Sequence, residues 1–388
     1  MDHPTVSLKS DNGRDDSADS GARSAIDRLR VAPAQSEAEV ERGLLLATSI
    51  FEEVGQVTSD CDNAAYMSMI WREDPSYVPD NILLATLDGN KPVGLVRVLS
   101  RTLFRDSQTY SVAGISNVCI EREHEGMGLS VPLMWRALEI CKSRGYELAL
   151  LCARRAVDHY YPKFGFHGVA AYSDVSIRYP ASPEPGNHLS LGDIDVSLID
   201  IYSAAYDSCY SRCFGRLTRS PQAWRLILKK LVGNPMVSVA TIFDGCRPVG
   251  YALWNRSRVL EIAYLKRLSI DKVVSLLQAI PIDTHPEKID LDIPEQHALI
   301  QDAYGLDMRL SARECTFGGQ MVRILDVESV LEKARHRGEG DFSGLHSTQA
   351  EVFNHHETCH LLGCWSPTVG PLTKGGSFPL NISLLDQF

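Results

Sequence analysis

Gly114-Ile-Ser-Asn-Val-Cys-Ile120, Glu125-Gly-Met-Gly-Leu-Ser130 and Tyr161-Pro-Lys-Phe-Gly-Phe166 all lie within one stretch, and reading that stretch decides the fold. The apolar run from Ile115 to Ile120 predicts a strand. The turn after it carries Gly126 and Gly128 and opens a helix expected from about Val131 to Arg144, with Gly145 at the position that ends helices. A strand leading through a glycine turn into a helix aims successive backbone N–H groups at one point. It adds the positive end of the helix dipole, and the result is a cradle for a pyrophosphate. Glycine also lets a ligand approach the backbone closely. A Gly-x-Gly turn alone serves equally well as an ordinary helix start, so its surroundings carry the argument.

Upstream, Leu29 to Val31 predicts a short strand. Ser36 and Glu39 form a capping-box pattern opening a helix to about Glu53. Ile82 to Thr86 and Pro92 to Ser100 read as strands joined by Asp88-Gly89-Asn90, and Tyr110 to Ile120 as the next strand. Glu147 to Cys152 is a further strand, and Tyr160 to Phe166 a short helical turn. The stretch Ala85-Thr-Leu-Asp-Gly-Asn-Lys-Pro-Val-Gly94 then reappears as Ala240-Thr-Ile-Phe-Asp-Gly-Cys-Arg-Pro-Val-Gly250. We read this as a duplication whose second copy spans about 195–315. That copy lacks the glycine turn, because Leu260-Glu-Ile-Ala-Tyr-Leu-Lys-Arg-Leu268 follows Val259 without a glycine. Past Gly318, Met321 to Val327 predicts a strand and Glu328 to Arg337 a helix. Thr348 to Phe353 and Thr358 to Leu362 predict strands. The end, Phe378 to Phe388, is apolar and aromatic where tails are usually polar, so it is expected to dock.

The 388 residues suffice for two or three domains. Residues 1–25 are polar and predict a disordered tail with no apolar leader segment. No apolar stretch is long enough to predict a membrane span. Ten cysteines without disulfide-type spacing point to a reducing, cytoplasmic setting. A net charge of −10 argues against general nucleic-acid binding. His355, His356, Cys359, His360 and Cys364 match no metal-ligand spacing, so no metal is expected.

The order strand, hairpin, strand, glycine turn, helix, strand, Tyr161-Pro-Lys-Phe-Gly-Phe166 resembles the GNAT N-acetyltransferases. Gly128 and Ser130 match that superfamily's turn pattern, whereas Glu125 stands where a basic or amide residue is usual. Two such domains, Arg219-Ser-Pro-Gln-Ala-Trp224 in the second, Met321-Val-Arg-Ile-Leu-Asp-Val327 and an aromatic C-terminus resemble the Eis acetyltransferases. The fold class so implied is α/β (α+β), with tandem GNAT folds. Each is a mixed, mostly antiparallel sheet flanked by helices, and a small truncated sterol-carrier-like C-terminal domain follows. The expected borders are 26–182, 183–317 and 318–388.

The resemblance implies acetyl-CoA as co-substrate, held by Gly126, Met127, Gly128, Leu129 and Ser130, with backbone groups of Val118, Cys119 and Ile120 polarising the thioester. It implies Tyr161 as general acid and the carboxylate of Phe388 as general base. Glu52 and Glu53, with Asp60 and Asp62 nearby, would receive a cationic amine, and Arg122, Arg136, Arg154 and Arg155 are candidates for the coenzyme A phosphates. The acceptor so implied is an aminoglycoside-type antibiotic, kasugamycin-like ones included, and the role is resistance. A homo-oligomer, without nucleic acid or membrane partners, is also implied. A polyamine, a lysine side chain or an amino sugar stays open as acceptor, as does a lipid-carrier role suggested by the segment from Met321.

Overall fold

The computed structural model describes residues 25–53, 63–89, 91–105, 107–153, 155–168, 171–179, 189–231, 234, 236–283, 288–314, 319–337, 353 and 355–362. The expected tail, the loop holding Asp60 and Asp62, Arg154, Cys364 and the segment ending at Phe388 lie outside these residues.

Strand β1 (Leu29–Pro33) precedes helix α1 (Glu37–Glu53). The Ser36 hydroxyl accepts from the Glu39 N–H at 3.3 Å, and the Glu39 carboxylate accepts from the Gln35 N–H at 2.6 Å. This is the expected capping box, reaching one residue further back. Val40, Leu44, Ala47 and Phe51 recur at helical spacing and are buried. Helix α2 (Asn63–Arg72) follows, then β2 (Ile82–Leu87), β3 (Pro92–Arg105), β4 (Gln108–Ile120), α3 (Ser130–Ser143) and β5 (Leu148–Ala153). Along β2, Ile82 and Leu84 pack with α1 and α2, while Leu83 and Ala85 pack with α3. The sheet is therefore covered on both faces, and its strands read as apolar runs.

The first sheet has the order β1-β2-β3-β4-β5-β15-β6, with β6 at His167–Gly168 and β15 at Gly319–Ile324. The second has the order β14-β7-β13-β12-β11-β10-β8. Its strands are β7 (Ala171–Arg178), β8 (Leu189–Gly192), β10 (Ser238–Asp244), β11 (Arg247–Trp254), β12 (Val259–Tyr264), β13 (Lys288–Asp292) and β14 (Asp307–Glu314). A short β9 (Arg216–Leu217) pairs with β3. Helices α4 (Ile199–Tyr210), α5 (Pro221–Leu231), α6 (Ile270–Ala279) and α7 (Ala298–Asp302) accompany the second sheet.

The duplication is visible in the hydrogen-bond register. Ala85 pairs with Gly94 and Thr86 with Pro92; Ile242 pairs with Gly250 and Phe243 with Pro248. Both hairpins therefore carry a bulge at the valine between proline and glycine. Both glycines are required by close approach. A Cβ on Gly94 would lie 2.5 Å from the Ile120 side chain, and one on Gly250 would lie 2.0 Å from the Ala263 carbonyl.

The two sheets exchange a strand, so the expected borders at 182 and 318 do not separate them. Strand β7 follows the first sheet's β6 in sequence but lies between β13 and β14. Strand β15 follows the second sheet's β14 but lies between β5 and β6. Gly319–Ile324, expected to open a C-terminal domain, completes the first sheet instead. Helices α8 (Val327–His336) and α9 (His355–Leu362) then pack on that sheet, where Val330, Leu331, Cys359 and Leu362 share a core with Leu103, Val112 and Leu148.

Thr358 to Leu362, expected to be a strand, belongs to α9. Thr358, Cys359, Leu361 and Leu362 are all buried, and a helix satisfies its own backbone there without a pairing partner. Its last carbonyls accept from arginines, Leu361 from Arg337 at 2.8 Å and Leu362 from Arg105.

Candidate active site

Strands β4 and β5 are parallel and pair only from Val112↔Leu148 to Gly114↔Leu150. Beyond that point they part. On its other side β4 slips against β3 between the pairs Leu95↔Cys119 and Arg97↔Ser116. That bulge is built on Asn117, whose φ is +48°, the left-handed region that asparagine tolerates better than most residues. The bulge turns the backbone of Ser116 to Val118 into the gap between the parted strands.

The turn after β4 reaches the same gap. Gly126 and Gly128 have φ of +80° and +74°, a conformation that strains any residue with a Cβ. Helix α3 begins at Ser130 with no side-chain cap, and Pro132 in its first turn carries no N–H. The N–H groups of Gly128, Leu129 and Ser130 have no backbone partner among the described residues, whereas that of Met127 donates to His124 O at 3.4 Å. The positive end of a fourteen-residue helix is thus left for a ligand.

A single cleft of about 870 Å³ joins these features, within the usual size for small-molecule sites. Val118, Cys119, Ile120, Gly126, Gly128, Leu129, Ser130 and Tyr161 all line it. Met127 does not, because its side chain packs into the core under α3. Tyr161 sits on a 3₁₀ segment (Arg155–Phe164) closed by Gly165 at φ +75°. Its ring meets Tyr160 and Phe166 edge-on, at centroid distances of 5.2 and 6.2 Å. Burial raises the Tyr160 hydroxyl pKa, and the neighbouring Ser130 side chain opposes the rise.

Burial pushes the Cys119 thiol up to about 12 and raises that of Cys152, which also lines the cleft. Both are therefore neutral thiols and poor nucleophiles.

The end of the cleft away from the glycine turn has two walls. On one, α1 delivers Ile50 and Phe51. Glu52 and Glu53 follow in the same helix, their side chains outside the described set. The other wall holds Arg97, Arg101 and Asp74. Asp74 accepts from Arg101 at 3.1 and 2.6 Å and lies 3.6 Å from Arg97. Against the opposing effect of burial, the two guanidiniums lower its carboxyl to about 2. Thr218, Ser220 and Lys230 extend this wall from the second sheet's side. Arg136 pairs with Glu139 at 2.9 Å on the exposed face of α3, and Arg122 lies in an exposed turn; neither lines the cleft. No group of three or more metal-binding side chains occurs among the described residues, and none of their helices is long and apolar enough to cross a membrane.

Residues 36–169, which include the parted strands, the turn and Tyr161, match the family model described as acetyltransferase (GNAT) domain. This is a GNAT acetyltransferase domain.

No curated protein matches the chain by sequence. Solved structures do match by shape. A GCN5-related N-acetyltransferase from Anabaena variabilis is 17% identical, with a TM-score of 0.55 over 79% of this chain and 75% of that one. Eis1 from Mycobacterium abscessus is 18% identical, with a TM-score of 0.54 over 78% and 75%. A GCN5-related N-acetyltransferase from Kribbella flavida is 14% identical, at 0.53 over 78% and 73%. The likeness spans both sheets and is one of fold.

Sequence reading missed four parts of the GNAT site. Asn117 gave a signal, a lone asparagine inside an apolar strand. The Asp74–Arg101 pair and the wall from Thr218 to Lys230 depend on long-range packing and gave none. Nor did Arg323 on the exchanged β15, which donates to the Phe164 carbonyl at 2.6 Å and stacks 5.0 Å from the Trp135 ring, bracing the Tyr161 segment.

Proposed function

We propose that the protein is an acetyl-CoA-dependent N-acetyltransferase acting on an amine of an aminoglycoside-type acceptor, kasugamycin-like ones included, with antibiotic resistance as its role. The observation that carries the acetyl-transfer part is convergence. The parted β4 and β5, the uncapped N-terminus of α3 and Tyr161 open onto one cleft.

Acetyl-CoA supplies the acyl group as a thioester. The N–H groups of Gly128 to Ser130 hold its pyrophosphate, and the bulged backbone at Val118 lies where a thioester carbonyl would need a donor. The attacking amine must lose a proton, and the departing thiolate must gain one. Tyr161 gives the proton, as a phenol hydroxyl lining the cleft can do for a departing thiolate. The base that takes the amine proton, expected at the carboxylate of Phe388, lies outside the described residues. With Cys119 and Cys152 held neutral, transfer is direct from thioester to amine.

The cationic acceptor is supported by the end of α1. Its last turn carries no basic residue, and Ile50 and Phe51 of that turn line the cleft, where the negative end of the helix dipole favours a cation. Asp74 does not compete for the amine, because Arg101 and Arg97 already neutralise it.

A thiol-release assay with acetyl-CoA and a panel of aminoglycosides, polyamines, amino sugars and lysine peptides tests the reading. The highest kcat/KM is expected for an aminoglycoside. Faster turnover of another amine class would overturn the acceptor while leaving acetyl transfer in place.

A further inference from the structure

The second sheet carries a smaller cleft of about 470 Å³ that the proposed reaction does not use. Its place on the fold follows from the duplication. Gly94 pairs with Ile120 and Gly250 with Tyr264. The next residue bonds back alike in both copies, Glu121 N–H to Val93 O at 2.7 Å and Leu265 N–H to Val249 O at 2.8 Å. Lys266 and Arg267 therefore stand where Arg122 and Glu123 lead into the first copy's glycine turn.

The interior of that second site is closed. His297 Nε2 donates to the Ile262 carbonyl, 2.9 Å away on β12, while its Nδ1 accepts from the Leu299 N–H at 3.1 Å, and its ring lies edge-on to Tyr210 at 4.6 Å. What stays open is the mouth, and it is cationic. Arg212, Lys266 and Arg267 line it with Ser211 and Gln296. Arg267 is matched by Asp302 at 3.4 Å. The Arg212 and Lys266 side chains have no hydrogen bond or ion pair among the described residues. Two positive charges thus face one cleft uncompensated on a chain of net charge −10. The Gln296 side-chain oxygen is buried there without a partner among the described residues. An amide turned end for end would offer N–H donors at the same place.

We propose that this cleft is a second, non-catalytic ligand site, which binds the phosphate of a phosphate-bearing small molecule through Arg212, Lys266 and Arg267. Guanidinium forks suit phosphate oxygens, and the cleft has room for more than a bare ion. The proposal does not depend on acetyl transfer in the first domain.

The test titrates inorganic pyrophosphate and ADP, by calorimetry, into the full chain carrying Gly128→Asp, which blocks the first cradle. The same titrations follow with Arg212→Glu and Lys266→Glu added. Saturable binding of about one equivalent is expected, weakened at least tenfold by the added pair. Tighter binding of ADP than of pyrophosphate would identify a phosphorylated nucleoside, and equal binding a site for phosphate alone; both support the proposal. No saturable binding of either probe, equal binding by the altered chain, or equal displacement by sulfate at constant ionic strength would overturn it. Both side chains are exposed, so the unfolding temperature should hold. Should it fall, Arg212→Gln with Lys266→Gln serves in their place. With Gly128 intact, the Arg212→Glu/Lys266→Glu chain should keep full acetyltransferase activity.

Discussion

Tyr161 and His297 show how one fold uses a titratable side chain in two ways. Tyr161 opens onto the cleft and is held by aromatic edges, so Tyr161→Phe keeps the ring packing and removes the hydroxyl with its proton. Steady-state kinetics should show kcat lower by about 10²-fold with KM for acetyl-CoA nearly unchanged. Near wild-type turnover would mean that the phenol is structural. His297 is instead fully buried, and burial pushes its pKa down to about 4 against an ordinary value of 6.5. The unfolded chain therefore binds more protons between these values. The stability this group contributes is complete above pH 6.5 and is lost as pH falls toward 4, at most roughly 3 kcal/mol. Urea midpoints at pH 7 and pH 4.5 should differ more in the wild type than in His297→Gln. Equal differences would remove His297 from the account. Asp74, with its pKa lowered to about 2, weakens the fold only below pH 4, so the two windows are separable.

Among the elements, those with a local code were legible. The capping box at Ser36 and the C′ glycine at Gly145 mark real helix ends, and the Gly126–Gly128 turn has the positive φ angles that glycine supplies. Elements decided by distant partners were not legible. Thr358 to Leu362 is short and mostly apolar, which fits a strand as well as a helix, and its burial beside α8 selects the helix. Strand β15 was legible as a strand, but its place in the first sheet was not, because pairing with β5 and β6 leaves no trace in its own residues. That placement has a kinetic consequence. Arg323 on β15 holds the Phe164 carbonyl, three residues beyond Tyr161. Arg323→Ala should lower kcat roughly tenfold through a displaced Tyr161, with KM for acetyl-CoA held and partial rescue by Arg323→Lys. An unchanged kcat would show that β15 braces the sheet but not the site.

At the scale of the whole molecule, the strand exchange makes the two sheets depend on each other. Residues 319–324 supply the strand next to the edge in the first sheet, and 171–178 supply the corresponding one of the second. A chain cut before Gly319 would leave the edges of β5 and β6 unpaired and the core beneath α8 and α9 exposed. Such a chain should lose its cooperative thermal transition and precipitate, whereas an appended C-terminal domain could be removed without harm. A soluble, cooperatively melting truncation would contradict the exchange. The same architecture gives the degenerate second copy a part in the first: it lends the short β9 to the catalytic sheet, and Thr218, Ser220 and Lys230 to the wall of the catalytic cleft.

The central claim is that the uncapped start of α3 and the parted strands β4 and β5 receive acetyl-CoA. Calorimetric titration of acetyl-CoA into the full chain and into Gly128→Asp tests it most directly. A carboxylate at the cradle should weaken binding at least tenfold, about 1.4 kcal/mol or more, with the unfolding temperature lowered modestly by the positive φ but the fold kept. No binding by the wild type, or equal binding by a folded Gly128→Asp chain, would contradict the account.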